Sequence, residues 1–187
     1  DLRLGDLVQT VDNGCKPLLW IGARRVAAQG AAAPIRIEEG VLNNSRPLIL
    51  SPQHRVRVQS RIAERMFGCE EALVAVKHLL ELPGVSRLEG GEVEYFHFLF
   101  DQHELVMSDG AETESLFTGP EALKAIHPEG RQEVMALFPE LLDNPDYRPD
   151  PARPLLRGAE GRNLVRRHIK NNKPVIPARV VPRFAAR

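Results

Sequence analysis

Leu48-Ile49-Leu50-Ser51-Pro52-Gln53-His54-Arg55-Val56-Arg57-Val58 is the stretch whose reading decides the fold class. An apolar triplet runs into a Ser-Pro turn, and an alternating apolar and charged segment leaves it. Apolar and alternating segments of this kind read as short strands. The first strand ends in a hydroxyl residue, and a histidine follows three positions on. Outward from here the pattern repeats. Leu7-Val8-Gln9-Thr10-Val11, Leu18-Leu19-Trp20-Ile21 and Ile35-Arg36-Ile37 read as strands upstream. Between them stand Asp12-Asn13-Gly14, Glu39-Gly40 and Asn43-Asn44-Ser45, residues that accept positive φ or bond their own backbone in turns. Downstream, the aromatic-rich run from Val93 to Phe100 suits a central strand, and Glu104 to Ser108 returns beside it. Many short strands with closely spaced turn signals predict an all-β body of mostly antiparallel strands. Glu71 to Leu82 stays open between a strand at Ala72-Leu73-Val74-Ala75-Val76 and a helical turn from Lys77. Pro83-Gly84 ends it either way.

Past Phe117 the character changes, so the chain divides into a β domain over residues 1–117 and a helical, Pro-rich, basic extension over 118–187. Pro120 to Ile126 starts like a helix with Pro in its first turn. Arg131 to Leu142 places Val134, Leu137, Phe138 and Leu141 at helical spacing, with Pro139 bending or ending the helix. Prolines at 145, 149, 151 and 154 predict an extended linker, and Gly161 to Lys170 a basic helix. Residues 146–187 hold 11 Lys/Arg against 3 Asp/Glu, a balance of +8, which leaves −8 on the rest of a chain with zero formal charge. A basic tail can bind nucleic acid. This one carries only Tyr147 and Phe184 as aromatics, too few for base stacking, so no nucleic-acid partner is expected and docking on the acidic body explains the charge as well. No apolar run approaches the roughly 20 residues of a membrane span. Cys15 and Cys69 lack the spacing of a zinc or redox pair and read as unpaired thiols.

The Ser51-Pro52-Gln53-His54 segment resembles the Thr-x-x-His motif of the Hedgehog/intein (Hint) domain. Three further stretches agree in order and spacing. Asp1-Leu2-Arg3-Leu4-Gly5-Asp6-Leu7-Val8 looks like the Leu-x-x-Gly-Asp-x-Val turn that follows the first catalytic strand of such domains. Val11-Asp12-Asn13-Gly14 through Trp20-Ile21-Gly22 is similar to the next hairpin in bacterial Hint-like proteins. Tyr95, eight residues before His103, resembles a late intein block, followed by a Gly-led closing strand at Gly110-Ala111-Glu112-Thr113-Glu114-Ser115. The resemblance covers about residues 1 to 117 and implies a flattened horseshoe of mostly antiparallel strands. It implies autoprocessing: a cysteine opening the domain attacks the preceding carbonyl, and the thioester is then hydrolysed or passed on. In that scheme His54 protonates the departing amine, Ser51 supports it and His103 assists later proton transfers. The substrate is the protein's own upstream segment, and no cofactor or metal is called for.

Three departures bear on this expectation. The nucleophilic cysteine is not in the sequence, since Cys15 lies beyond the Gly5-Asp6 turn, so the true N-terminus is expected upstream of Asp1 and the chain as given cannot start the reaction. Inteins close with His-Asn where this chain has Glu114-Ser115, which argues against splicing. Phe96, not an acidic residue, follows Tyr95. His97 alternates with Tyr95 and Leu99 and reads as a core histidine. The donors His97, Asp101, His103 and Glu104 fit no standard metal spacing, and Gly90-Gly91 lacks the Lys-Ser/Thr of a phosphate loop. Trp20, Ile21 and Gly22 read as packing. A non-catalytic β scaffold of a larger secreted protein is the second reading, the secreted parent resting only on the company that bacterial Hint domains keep.

Overall fold

In the computed structural model, which describes residues 2–119, 126–138 and 149–178, short strands alternate with turns. Strands β1 (Leu7–Gln9), β2 (Cys15–Pro17) and β3 (Trp20–Ala27) precede a 3₁₀ turn at Gly30–Ala32, then β4 (Ile35–Ile37), β5 (Leu48–Leu50) and β6 (Arg55–Gln59). Helix α1 (Arg61–Phe67) leads to β7 (Glu71–Ala75), a 3₁₀ turn at Val76–His78 and β8 (Val85–Arg87). Then come β9 (Glu92–Leu99), β10 (Leu105–Ser108), β11 (Ala111–Glu114), α2 (Pro128–Leu137), β12 (Leu155–Leu156) and α3 (Gly158–Lys170). Among the described residues the strands form four open sheets, ordered β10-β11-β6-β7-β12, β5-β4-β8, β3-β9 and β1-β2. Every pairing is antiparallel except β7 with β12, where Leu155 and Leu156 lie beside Leu73 and Val74.

The β-rich expectation holds, but all-β and a helical part confined to the C-terminus need correction. Helix α1 sits inside the β region because local chemistry stops and starts it there. Ser60 accepts the Ala63 N–H at 3.0 Å as N-cap, and Gly68, at φ 74°, ends the helix in the left-handed region. The ambiguous stretch from Glu71 resolves into both alternatives in succession, strand β7 and then the 3₁₀ turn. Helix α2 is shifted toward the N-terminus of its expected span and stops at Leu137. Phe138, at φ −129° and ψ 74°, is driven out of helical geometry by the proline after it. The helix start expected at Pro120 and Pro145 of the expected linker lie outside the described residues.

Alternation in β6 sorts two environments. Val56 and Val58 are fully buried and pack with Ile35, Ile37, Val74 and Ala72. Leu164 and Val165 of α3 join the same core, so the basic helix is amphipathic, with Gly161, Leu164, Val165 and His168 inward and Arg162, Arg166 and Arg167 outward. Gly161 permits the approach: a Cβ there would stand 3.1 Å from the His78 ring and 3.3 Å from Val74. The other face of β6 is charged. Arg57 pairs with Glu71 of β7 at 2.6 Å and with Glu112 of β11, and Arg55 reaches Glu114. A second core gathers Trp20, Leu99, Ile126 and Val134. Its indole donates to Glu133 at 2.6 Å, and a Cβ on Gly22 would collide with its ring.

Candidate functional site

The charged face of the five-stranded sheet carries the site. Ser51 to His54 connects β5 to β6, and the His54 N–H is shared between the Ser51 carbonyl at 3.0 Å and the Ser51 hydroxyl at 3.2 Å. This is a hydroxyl-supported turn, which sets where the histidine backbone enters β6. The turn is tied to the Val76–His78 segment, since the His54 carbonyl accepts from Val76 N at 2.9 Å and the Pro52 carbonyl from Lys77 N at 3.1 Å. The His54 residue is half-buried, but its Nε2 is shielded from solvent and has no hydrogen-bond partner among the described residues. Burial pushes its pKa down, the Glu114 charge pulls it up, and His97, Arg55 and His103 push it down, with a lowered value as the outcome. The imidazole is therefore held neutral at neutral pH.

Glu114, 6% exposed, stands at the centre. It accepts from the Arg55 N–H at 2.9 Å and from the Arg55 guanidinium at 3.0 and 3.2 Å. His103 Nε2 lies 3.2 Å from the Glu114 Oε2, at ion-pair distance though not aligned as a hydrogen bond. The other ring nitrogen, Nδ1, accepts the Ala152 N–H at 3.1 Å. A neutral imidazole whose Nδ1 accepts carries its proton on Nε2, so the ring presents an N–H toward the carboxylate. Burial alone would raise the Glu114 pKa; the contact with His103 and the charge of Arg55, foremost among the opposing causes, leave it lowered. The Phe117 ring covers His103 at a centroid distance of 5.0 Å and lies 5.9 Å from the Arg55 guanidinium carbon. His97, opposite Gly22 in the β3-β9 pair, has a pKa lowered by burial and by Arg24 against the opposing pull of Glu114. A cleft of about 420 Å³ lined by His103, Phe100, Glu104, Asp12, Asp150 and Arg153 opens beside His103.

Of the residues singled out in the sequence, His54 and His103 come together around Glu114, while Ser51 contacts the backbone of His54. Sequence reasoning passed over Glu114, which drew notice only as a departure at the closing strand. The signal that identifies it is alternation: Ala111 is buried in the core, so Glu112 and Glu114 face the side of the sheet that carries Arg55 and Arg57. Ser115, which the sequence sets against the intein asparagine, is buried and accepts the Glu104 N–H at 2.9 Å. Tyr95 donates to the Ala32 carbonyl at 2.7 Å, a tie between β9 and the first 3₁₀ turn. Both cysteines are free; Cys15 is exposed and bonds Gln9, and burial raises the Cys69 pKa. Glu104 is satisfied by the Asn13 and Gln102 amides, and Asp101 pairs with Lys16 at 2.9 Å. Among the described residues no group of three or more His, Cys, Asp or Glu side chains is placed to hold a metal ion.

A Ser-x-x-His turn thus presents a half-buried histidine on the face of a β-rich domain, near His103 and the closing strand β11. The Hint-domain family model matches residues 1–120, and the chain belongs to that family. No curated protein and no solved structure matches the chain significantly.

Proposed function

We propose that the domain is a self-processing module that cleaves the peptide bond joining it to an upstream segment. A cysteine that opens the domain, on the domain side of that bond, attacks the preceding carbonyl carbon. The C–S bond forms as the C–N bond breaks, and the thiol proton passes through His54 to the leaving amine nitrogen. Water or another nucleophile then takes the acyl group and regenerates the thiol. The observation that carries the reading is the His54 Nε2, buried, on a ring held neutral, and without a hydrogen-bond partner among the described residues. A polar atom so placed costs free energy unless a ligand completes it, and the scissile amide of a Hint substrate supplies that ligand. Ser51 fixes the turn that presents His54, and His103 with Glu114 serves the later proton transfers. Glu114-Ser115 in place of His-Asn favours hydrolysis or acyl transfer over splicing. In this reading residues 1–117 are the processing unit, curved as the family's flattened horseshoe, and 118–187 its extension.

The test is intact mass of the protein carrying its upstream segment, with and without dithiothreitol. Thiol-accelerated cleavage just before a cysteine upstream of Asp1 is the expected result, abolished by His54→Ala and untouched by Cys15→Ala. A single uncleaved mass from folded protein would overturn the proposal and leave the non-catalytic scaffold as the better reading.

A further inference from the structure

His103 is completed by a residue far outside the family match, which ends at residue 120. The Ala152 N–H that occupies its Nδ1 belongs to the segment 149–153, and that segment is pinned by the next side chain. Arg153 grips Asp12 with both terminal nitrogens, at 2.7 and 3.0 Å, and its Nε donates to Glu71 at 2.5 Å. Its Nη1 also donates to the Ala152 carbonyl at 2.7 Å, so the guanidinium braces the peptide that faces His103. Directly after it the Pro154 carbonyl accepts Leu73 N at 2.8 Å, and β12 begins against β7. The fork therefore joins the turn after β1, the start of β7 and the C-terminal segment at one point. Two-pronged Arg–carboxylate pairs add direction to charge, which a lysine cannot reproduce. The Asp12 hydrogen bond foremost raises the Arg153 pKa, and the Arg153 hydrogen bond foremost lowers that of Asp12, so both stay charged.

We infer that Arg153 is a positioning residue of the site: by pinning the segment 149–153 it holds the Ala152 N–H on His103 Nδ1 and locks the ring proton on Nε2, toward Glu114. The lock is steric and electrostatic, because a proton on Nδ1 would face the Ala152 N–H head-on. With the pin gone the ring is free to carry its proton on either nitrogen, and Glu114 then meets a lone pair for part of the time. Glu114, His54 and Arg55 face His103 from the sheet, and Asp12, Asp101, Glu104 and Asp150 from the cleft. The role in cleavage rests on the self-processing proposal; the tautomer does not.

Long-range ¹⁵N–¹H correlation of the histidine rings, in the chain as it stands at neutral pH, reads the tautomer directly. The expected wild-type pattern for His103 is an acceptor Nδ1 and a protonated Nε2. Arg153→Gln and Asp12→Asn, each kept only if near-UV circular dichroism and the His168 ring signals stay native, should average the two His103 nitrogens, and Arg153→Lys should not restore them. A wild-type proton on Nδ1, or an unmoved pattern in both folded variants, overturns the inference. In self-cleaving protein the same variants should slow cleavage about tenfold, the size of a lost charge-assisted bond. An unchanged rate in variants whose tautomer has moved overturns the positioning role. No cleavage in wild type alongside the expected tautomers sinks self-processing and leaves the lock standing.

Discussion

Glu114 accepts from Arg55 at both backbone and side chain and faces the N–H edge of His103, so three charges or dipoles converge on a carboxylate that water barely reaches. Removing one partner of such a group leaves the others buried and unanswered, which costs more than the pair itself was worth. Glu114→Gln keeps the shape and deletes the charge. Arg55 retains some solvent access, so the loss should be about 2 kcal/mol, measured by urea denaturation at pH 7; a change under a few tenths would show the pair to be idle. Ser51 makes the opposite case. Among the described residues its hydroxyl bonds the His54 N–H, at 3.2 Å, which the Ser51 carbonyl also serves. Ser51→Ala should therefore cost about 0.5 kcal/mol and slow self-cleavage far less than His54→Ala. Equal losses would place Ser51 in contact with substrate. His54 and Ser51 were legible in the sequence because a side-chain motif marks them. The third contributor at His103 is a backbone N–H at Ala152, and no residue type announces a backbone donor.

Among the elements, those fixed by local pattern were readable and those fixed by tertiary contact were not. β4 and β5 fall on Ile35–Ile37 and Leu48–Leu50 because apolar runs end at turn-forming neighbours. Helix α1 carried its own signals, the Ser60 cap and the Gly68 stop, in a region whose strand pattern outweighed them. β12 had none: two leucines after a proline-rich stretch become a strand only because β7 offers an open edge. The basic stretch of α3 was read as a helix, but its depth in the core follows from Leu164 and Val165, which face the same buried cluster as Val56 and Val58. Leu164→Ala should accordingly cost about 3 kcal/mol and lower the melting temperature of the whole protein. If the strand signals of the β body survive with an unchanged midpoint, α3 is a detachable appendage. Gly22→Ala tests the second core, where the added methyl must displace the Trp20 ring. A loss of about 2 kcal/mol with an altered Trp20 fluorescence spectrum is expected, and native fluorescence would show that the ring has room.

At the scale of the whole molecule, charge divides by position in the chain and is reunited by folding. The basic C-terminal part reaches the acidic body through Arg153 on Asp12 and Glu71 and through Arg166 on Glu81. Folding also holds a set of histidines toward the neutral form. His54, His78, His97 and His168, four of the six, have pKa values lowered from 6.5, with burial the largest cause in each. His168 shows the constraint in full. The Ser60 hydroxyl, already accepting from Ala63, has its one proton to give to His168 Nε2 at 2.9 Å, while Nδ1 faces the Lys173 carbonyl at 3.2 Å. A second ring proton would take from the Ser60 hydroxyl the acceptor of its own proton, at the junction of the α1 cap with the end of α3. As pH falls through 6.5 the unfolded chain takes up protons that the folded chain refuses, so stability declines toward the folded values, by up to about 1.4 kcal/mol per pH unit for each proton. Glu114 and Asp12, lowered from 4.5 and 3.8, act in the same sense further down. Their contribution is full above those values and is lost as they protonate. Urea midpoints recorded from pH 8 to pH 4 should fall in two stages, the first below pH 6.5 and the second below pH 4.5. His168→Gln should make the first stage shallower and leave the second, whereas Glu114→Gln should make the second shallower, Asp12 keeping part of it. A midpoint that holds level from pH 7 to pH 5 would mean that these imidazoles accept protons in place, and the neutral His54 on which self-processing depends would go with them.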